Sequence, residues 1–171
     1  MKEYPTFVTH LECSYTGKTY PADQLHGLSE AGKPLLVRYD LEALGKAISK
    51  DDLKERLPEF WRYREFLPVR KSENVVRLGE LMTPILPAKK IQAKLGCGEI
   101  LIKDEGRLPT GSFKARGIAL AVAMAKELGV TRMAMPTNGN AGAALAAYCS
   151  RADIESFVFC PEDTPKINIE E

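Results

Sequence analysis

The chain has 171 residues, of which 44% are hydrophobic and 27% are charged. This composition excludes a disordered chain, and the length fits one compact unit with a small extension. The 24 Lys and Arg residues nearly balance the 23 Asp and Glu residues, which leaves a net charge of +1. A general electrostatic attraction to nucleic acid or to an anionic membrane is therefore excluded.

The chain shows no signal for membrane insertion or metal binding. Its longest uncharged apolar stretch, residues 117–125, is much shorter than the ~20 residues that span a bilayer. We therefore expect no membrane partner and a cytoplasmic location. The cysteines are scattered without a Cys-x-x-Cys pair, so we predict isolated buried thiols and no metal site. They are Cys13, Cys97, Cys149 and Cys160.

The N-terminal part mixes short strands and helices. Apolar pieces at residues 7–11 and 34–39, separated by glycine turns, predict a small antiparallel substructure. Leucine and isoleucine spacing over residues 40–57 predicts one helix, closed by Pro58. Residues 60–68 alternate aromatic side chains with arginines. We interpret them as a packed core segment whose arginines reach outward.

From residue 99 onward, short apolar runs alternate with longer helical patterns. This alternation predicts an α/β fold with a parallel sheet and helices on both of its faces. Ligands of such sheets bind outside the carboxyl ends of the strands. The predicted strands are residues 99–103, 132–135 and 157–160, the predicted helices are residues 112–128 and 140–150, and the connections that follow the strands are residues 104–112, 136–140 and 161–165.

Lys114 lies in the first turn of the predicted helix 112–128, just after a capping hydroxyl at Ser112. A lysine at this positive helix end costs a few tenths of a kcal/mol, so an ordinary surface lysine is one interpretation. The other is an amine nucleophile facing a pocket. The helix end, nearby Arg116 and partial burial would then favour the neutral amine, which forms Schiff bases with carbonyl cofactors.

The connection at residues 136–142 carries a second set of candidate site residues. Thr137 and Asn138 offer side-chain donors, Gly139 permits unusual backbone angles, and the N–H groups of the following helix are unpaired. These features predict a site for a carboxylate. A plain capping turn remains the alternative, because Asn-Gly is a common turn dipeptide.

Two strings of residues resemble a known family. Residues 104–117, DEGRLPTGSFKARG, and residues 137–142, TNGNAG, are similar to pyridoxal-phosphate enzymes of the tryptophan-synthase β fold (fold type II), and among them to the threonine synthase family. Residues 34–40, 61–63 and 78–84 are similar too, so the resemblance covers nearly the whole chain. It implies a small N-terminal β/helical segment at residues 1–78 and the first part of the cofactor-binding α/β region at residues 79–171.

The resemblance also implies roles for individual residues. Lys114 would be the catalytic residue and would hold pyridoxal 5'-phosphate covalently, with Phe113 and Asn140 as further cofactor contacts. The implied reaction is that of a lyase, which converts O-phospho-L-homoserine and water to L-threonine and phosphate. The partner is then a small phosphorylated amino acid. The implied substrate-binding residues are Thr83, Thr137, Asn138, Gly139, Asn140 and Ala141.

Several alternatives remain open at this point. Cysteate synthase and amino-acid dehydratases share parts of these motifs, and a non-catalytic interaction fragment is a further possibility. Thr164 and Pro165 form a good helix start, yet only six residues follow them. We therefore expect a fragment with an incomplete sheet, inactive alone and prone to self-association.

Overall fold

The computed structural model describes residues 3–170, apart from the side chain of residue 168. No helix in this part of the chain is long and apolar enough to cross a membrane. The regular elements are, in chain order, β1 (Val8–Cys13), β2 (Thr19–Tyr20), β3 (Leu35–Tyr39), α1 (Leu41–Ala47), α2 (Lys50–Lys54), β4 (Ile85–Pro87), α3 (Lys89–Leu95), β5 (Leu101–Lys103), α4 (Lys114–Glu127), β6 (Arg132–Pro136), α5 (Asn140–Ala152), β7 (Glu155–Phe159) and α6 (Lys166–Glu170).

The chain forms two compact units. The first contains the residues up to Leu57 together with Trp61–Val76 and Leu120–Thr131. The second contains Pro58–Phe60, Arg77–Ala119 and the residues from Arg132 onward. All of the predicted site residues belong to the second unit.

The first unit contains the predicted antiparallel substructure, in which β1 is the central strand between β2 and β3. The prediction of one helix over residues 40–57 is wrong, because the chain leaves the helical conformation at Ile48. Ser49 then starts α2 by exchanging hydrogen bonds with Asp52, in a capping box. Serine and aspartate are favoured at such helix starts, where they satisfy free N–H groups.

The aromatic segment at residues 60–68 supplies core residues, as predicted. Trp61 is only 3% exposed, and its indole N–H donates to the carbonyl of Val76 at 3.1 Å. Buried Glu65 accepts two hydrogen bonds from the Arg56 guanidinium, at 2.6 and 2.8 Å. Burial of the carboxylate opposes this pairing, but the Arg56 contacts prevail and hold the pKa of Glu65 below its usual value.

The second unit contains the predicted β-α-β arrangement. Strands β6 and β7 pair in parallel and are connected by α5, which packs against both of them. Strand β5 is not part of this sheet: it pairs antiparallel with β4, with Ile85 opposite Lys103. The expectation that residues 99–103 join the parallel pair is thus corrected, because a local apolar pattern does not specify a strand's partner.

Burial of the helices and cysteines follows the predictions in part. In α4 the side chains of Ala115, Ala119, Val122 and Ala123 are fully buried, as its apolar composition predicts. Of the four cysteines, only two are buried, so the prediction of isolated buried thiols is wrong for the others. The buried ones are Cys13 and Cys149, and the exposed ones are Cys97 and Cys160.

Candidate active site

Lys114 is the first residue of α4. Its backbone N–H donates to the Ser112 hydroxyl at 3.3 Å, and its Nζ lies 4.2 Å from the ring centroid of Phe113. The expected partial burial of Lys114 is wrong, since the side chain is exposed and the Phe113 ring is 59% exposed. Within residues 3–170, no carboxylate forms an ion pair with this amine, which is therefore accessible to a ligand.

Arg116, two residues after Lys114, forms an ion pair. Its guanidinium binds the carboxylate of Glu105 through two contacts, at 2.5 and 2.8 Å. Glu105 also accepts a hydrogen bond from the hydroxyl of Thr83, which is buried. The Arg116 contact, with help from Thr83, lowers the pKa of Glu105 from its ordinary 4.5 to about 2. The positive charge of Arg116 is therefore compensated, and Thr83 is linked to the first turn of α4.

The Glu105 carboxylate is expected to make stability depend on pH. A lowered pKa in the folded state stabilises the fold above pH 4.5, and this contribution is lost as the pH falls toward 2. We expect Glu105→Gln to reduce the free energy of unfolding at pH 7 by about 1–3 kcal/mol. The difference from wild type, measured by urea unfolding, should shrink steadily below pH 4.5.

A matched control for this prediction is Glu42→Gln. Glu42 pairs with Lys46 in α1, and both side chains are largely exposed, so this change should have almost no effect at any pH. A Glu105→Gln variant that kept a constant deficit from pH 7 to pH 2 would contradict the assignment.

The turn before Lys114 contains a residue that sequence reasoning missed. Thr110 has φ 60° and ψ 23°, a left-handed conformation that is strained for a β-branched residue. Its hydroxyl oxygen is buried and makes no hydrogen bond. Each feature lowers the stability of the fold by about 1–3 kcal/mol. Strained residues of this kind cluster at functional sites. Gly111 indicated a turn, but nothing in the sequence shows that Thr110 shares its left-handed conformation.

The second predicted loop lies at the carboxyl end of β6, as expected. The Thr137 N–H donates to the carbonyl of Phe159 at 2.8 Å, which ties the loop to the end of β7. The Thr137 hydroxyl accepts a hydrogen bond from the N–H of Gly139 at 3.2 Å. Asn138 and Asn140 are exposed, and α5 begins at Asn140. The loop thus presents two amide side chains beside a helix N-terminus, where anions are favoured.

Gly142 lies close to the side chains of Thr137 and Val158 behind this loop. A Cβ atom at this position would lie 2.4 Å from Cγ2 of Thr137 and 2.8 Å from Cγ1 of Val158. Only glycine therefore fits unless the side chains of Thr137 and Val158 both move. Thr137 and Gly139 line a cavity of about 210 Å³ together with Val158 and Thr164. Lys114 is not among the residues that line it.

Both predicted loops are connected to the same helix, α5. The turn Pro109–Gly111, which leads to Lys114, packs against α5, and α5 begins with the loop at residues 137–141. These residues fit pyridoxal phosphate, the cofactor that the resemblance implies. Lys114 supplies an accessible amine, and the start of α5 supplies amide donors. The buried Thr110 hydroxyl oxygen adds a polar atom without a protein partner in the turn that leads to Lys114.

Comparison with known proteins agrees with this reading of the residues. Residues 76–171 match the family described as "Pyridoxal-phosphate dependent enzyme". The chain is 39% identical over 150 residues to threonine synthase from Methanocaldococcus jannaschii, which covers 88% of this chain and 37% of that enzyme. It is 35% identical over 153 residues to threonine synthase from Methanosarcina acetivorans, covering 89% of this chain and 37% of that enzyme.

Two further matches are shorter. Threonine synthase from Halalkalibacterium halodurans is 43% identical over 100 residues, which covers 58% of this chain and 28% of that enzyme. Among solved structures, a pyridoxal 5'-phosphate-dependent aspartate racemase aligns with a TM-score of 0.48 and 29% identity, over 53% of this chain and 29% of the racemase. The chain thus spans little more than a third of the length of the threonine synthases from Methanocaldococcus jannaschii and Methanosarcina acetivorans.

The family match covers more than half of the chain and includes Lys114, Thr83 and the loop at residues 137–141. Its cofactor, pyridoxal phosphate, is the one that the site residues fit. The chain therefore belongs to the family of pyridoxal-phosphate dependent enzymes.

Proposed function

We propose that this chain provides the lysine and the carboxylate-binding loop of a threonine synthase, which forms L-threonine and phosphate from O-phospho-L-homoserine and water. The observation that carries the proposal is the accessible Lys114 amine, at the end of a strained turn that packs against α5. The similarity to threonine synthases over 88% of the chain supports the choice of reaction.

Each site residue has a defined task in this proposal. When bound, pyridoxal phosphate stabilises negative charge at the substrate's Cα, so that a proton can leave. Lys114 holds the cofactor and then moves protons at Cα and Cβ with its Nζ. Asn140 donates a hydrogen bond to the cofactor's 3-hydroxyl oxygen, and Phe113 packs beside the amine.

The substrate is held by the start of α5. The amide of Asn138 and the N–H groups of Asn140 and Ala141 bind its α-carboxylate, which the positive end of the helix favours. Thr137 and Gly139 hold the shape of the loop through the hydrogen bonds between them. Thr83 completes the proposed substrate-binding set. Its hydroxyl donates to Glu105, so Thr83 lies in a fixed position close to the first turn of α4.

The test is an assay of the complete gene product with pyridoxal phosphate. We expect phosphohomoserine to give threonine and phosphate in equal amounts, and we expect no turnover without the cofactor. Phosphoserine with sulfite, and threonine alone, serve as the competing substrates. Activity confined to phosphoserine would identify a cysteate synthase, and release of ammonia from threonine alone would identify a dehydratase. Either result would contradict the proposal.

We also propose a cytoplasmic location and self-association of the isolated chain. The four free cysteines support the first, since reducing compartments keep thiols free. Exposed apolar side chains on β4 and β5 support the second, because an uncovered sheet attracts further strands. These side chains are Ile85, Leu86, Leu101 and Ile102.

A further inference from the structure

The residues Glu80–Thr83, here called the bridging segment, are connected by hydrogen bonds to both helices that carry the site, directly to α5 and through Glu105 to α4. The first connection runs through Thr83, whose hydroxyl donates to Glu105. Glu105 in turn binds Arg116 in two places, and Arg116 lies two residues after Lys114 in the first turn of α4. The bridging segment is thus tied to the start of the lysine helix.

The second connection runs through Glu80 to α5. The Tyr148 hydroxyl donates to Oε1 of Glu80 at 2.5 Å, across 68 positions of sequence. The N–H of Leu78 donates to the same oxygen at 2.7 Å. Both Glu80 and Tyr148 have 0% exposure. Burial, together with the adjacent Glu80 carboxyl, raises the pKa of Tyr148 far above its usual value, so its hydroxyl remains a donor at every working pH.

The backbone of the bridging segment is fixed as well. The N–H of Phe60 donates to the carbonyl of Glu80, and the N–H of Met82 donates to the carbonyl of Pro58, both at 2.8 Å. Residues 59 and 81 form an antiparallel bridge. The segment is therefore a fixed support, which contacts α5 directly through Glu80 and is linked to α4 through Glu105.

Simple packing does not explain the choice of Glu80 and Tyr148. The second carboxyl oxygen of Glu80, Oε2, is buried and makes no hydrogen bond, which costs stability. An apolar pair of the same shape would avoid this cost. Directional hydrogen bonds, unlike apolar contacts, fix the position of Tyr148 along and around the α5 axis. Asn140 lies about 12 Å away on the same continuous helix.

We propose that the bridging segment sets the spacing between Lys114 and the loop at residues 137–141, and that Glu80 and Tyr148 are positioning residues for pyridoxal phosphate. This inference rests on the proposed roles of Lys114 and Asn140, which would hold neighbouring groups of the cofactor ring, the aldehyde carbon and the 3-hydroxyl. A ligand that must reach both is sensitive to a small displacement of α5. All of these residues belong to the second unit.

The experiment measures the affinity of the complete gene product for pyridoxal phosphate, by visible absorbance, in wild type and in Tyr148→Phe. Tyr20→Phe is the matched control, because the Tyr20 hydroxyl accepts a hydrogen bond from the N–H of Glu30 in the first unit. Circular dichroism and urea unfolding identify conditions in which each variant is fully folded. We expect Tyr148→Phe to bind the cofactor at least tenfold more weakly and Tyr20→Phe to bind it as wild type does.

The double variant Tyr148→Phe/Glu80→Leu separates positioning from stability. It replaces both buried polar partners with apolar side chains, so its stability should recover relative to Tyr148→Phe while its cofactor affinity stays low. It also replaces Tyr148→Phe if that variant does not fold. Affinity within twofold of wild type in either variant would overturn the inference, even if borohydride reduction still labels wild-type Lys114. Absence of that label in wild type would overturn the proposed role of Lys114 and this inference together.

Discussion

Replacing Lys114 with alanine is expected to abolish stable attachment of pyridoxal phosphate and to lower the rate of threonine formation by at least about 10²–10⁴-fold, the usual contribution of a proton-transferring group. The fold should be retained, because the side chain is exposed and lies beside the Phe113 ring, which is exposed as well. Surface changes of this kind usually alter stability by less than about 0.5 kcal/mol. Urea unfolding and a product assay measure the two effects.

The matched control for Lys114 is Lys89→Ala. Lys89 is the first residue of α3, as Lys114 is of α4, and its side chain is exposed too. Both variants thus remove one exposed amine from the start of a helix. Lys89→Ala should keep wild-type activity. Equal activity in the two variants would show that another group performs the proposed chemistry.

Gly142→Ala is expected to disrupt the carboxylate-binding loop. The added Cβ would lie 2.4 Å from Cγ2 of Thr137, which is too close for any real contact, so Thr137 must move away from the start of α5. Overpacking of this kind costs about 1–3 kcal/mol of stability. In the variant, the KM for phosphohomoserine should rise at least tenfold, because the loop that Thr137 holds in shape no longer directs its N–H groups at the carboxylate.

Gly117→Ala is the matched control, because the same glycine-to-alanine change is expected to stabilise the protein there. Gly117 lies within α4, and a Cβ atom there would meet nothing within 4 Å. Alanine is favoured over glycine inside a helix by about 0.5–1 kcal/mol, so the free energy of unfolding should increase slightly and KM should not change. A Gly142→Ala protein with wild-type KM would contradict the assignment of the loop.

Local sequence patterns predicted the strands and helices better than they predicted which strands pair with each other. Apolar periodicity was sufficient for β6, α5 and β7, because successive elements of a β-α-β unit are neighbours in space. The pairing of β5 with β4 was missed, since β4 has only three residues and ends at Pro87, which is a weak strand signal. The end of one helix and the start of the next at Ser49 depend on a single capping interaction. The apolar spacing on both sides of Ser49 is helical, so the sequence pattern did not show this interruption.

For the site, the sequence predicted which residues lie at the helix starts, but it did not predict their exposure or their contacts with distant residues. The Ser112 hydroxyl accepts a hydrogen bond from the first N–H of α4, as expected, because capping is a local effect. Helix α5 begins at Asn140, also as expected, but without a side-chain cap. The exposure of Lys114 depends on which surfaces the rest of the fold covers, and no local rule contains that information. The contact of Tyr148 with Glu80 joins residues 68 positions apart, so only the folded chain reveals it.

The central claim is that Lys114 is the residue that holds pyridoxal phosphate. The most direct measurement is to incubate the complete gene product with the cofactor, reduce it with borohydride, and locate the added mass by peptide mass spectrometry. We expect one label per chain, on Lys114, and none on Lys89 or Lys103. A label on a different lysine, or no label at saturating cofactor, would contradict it.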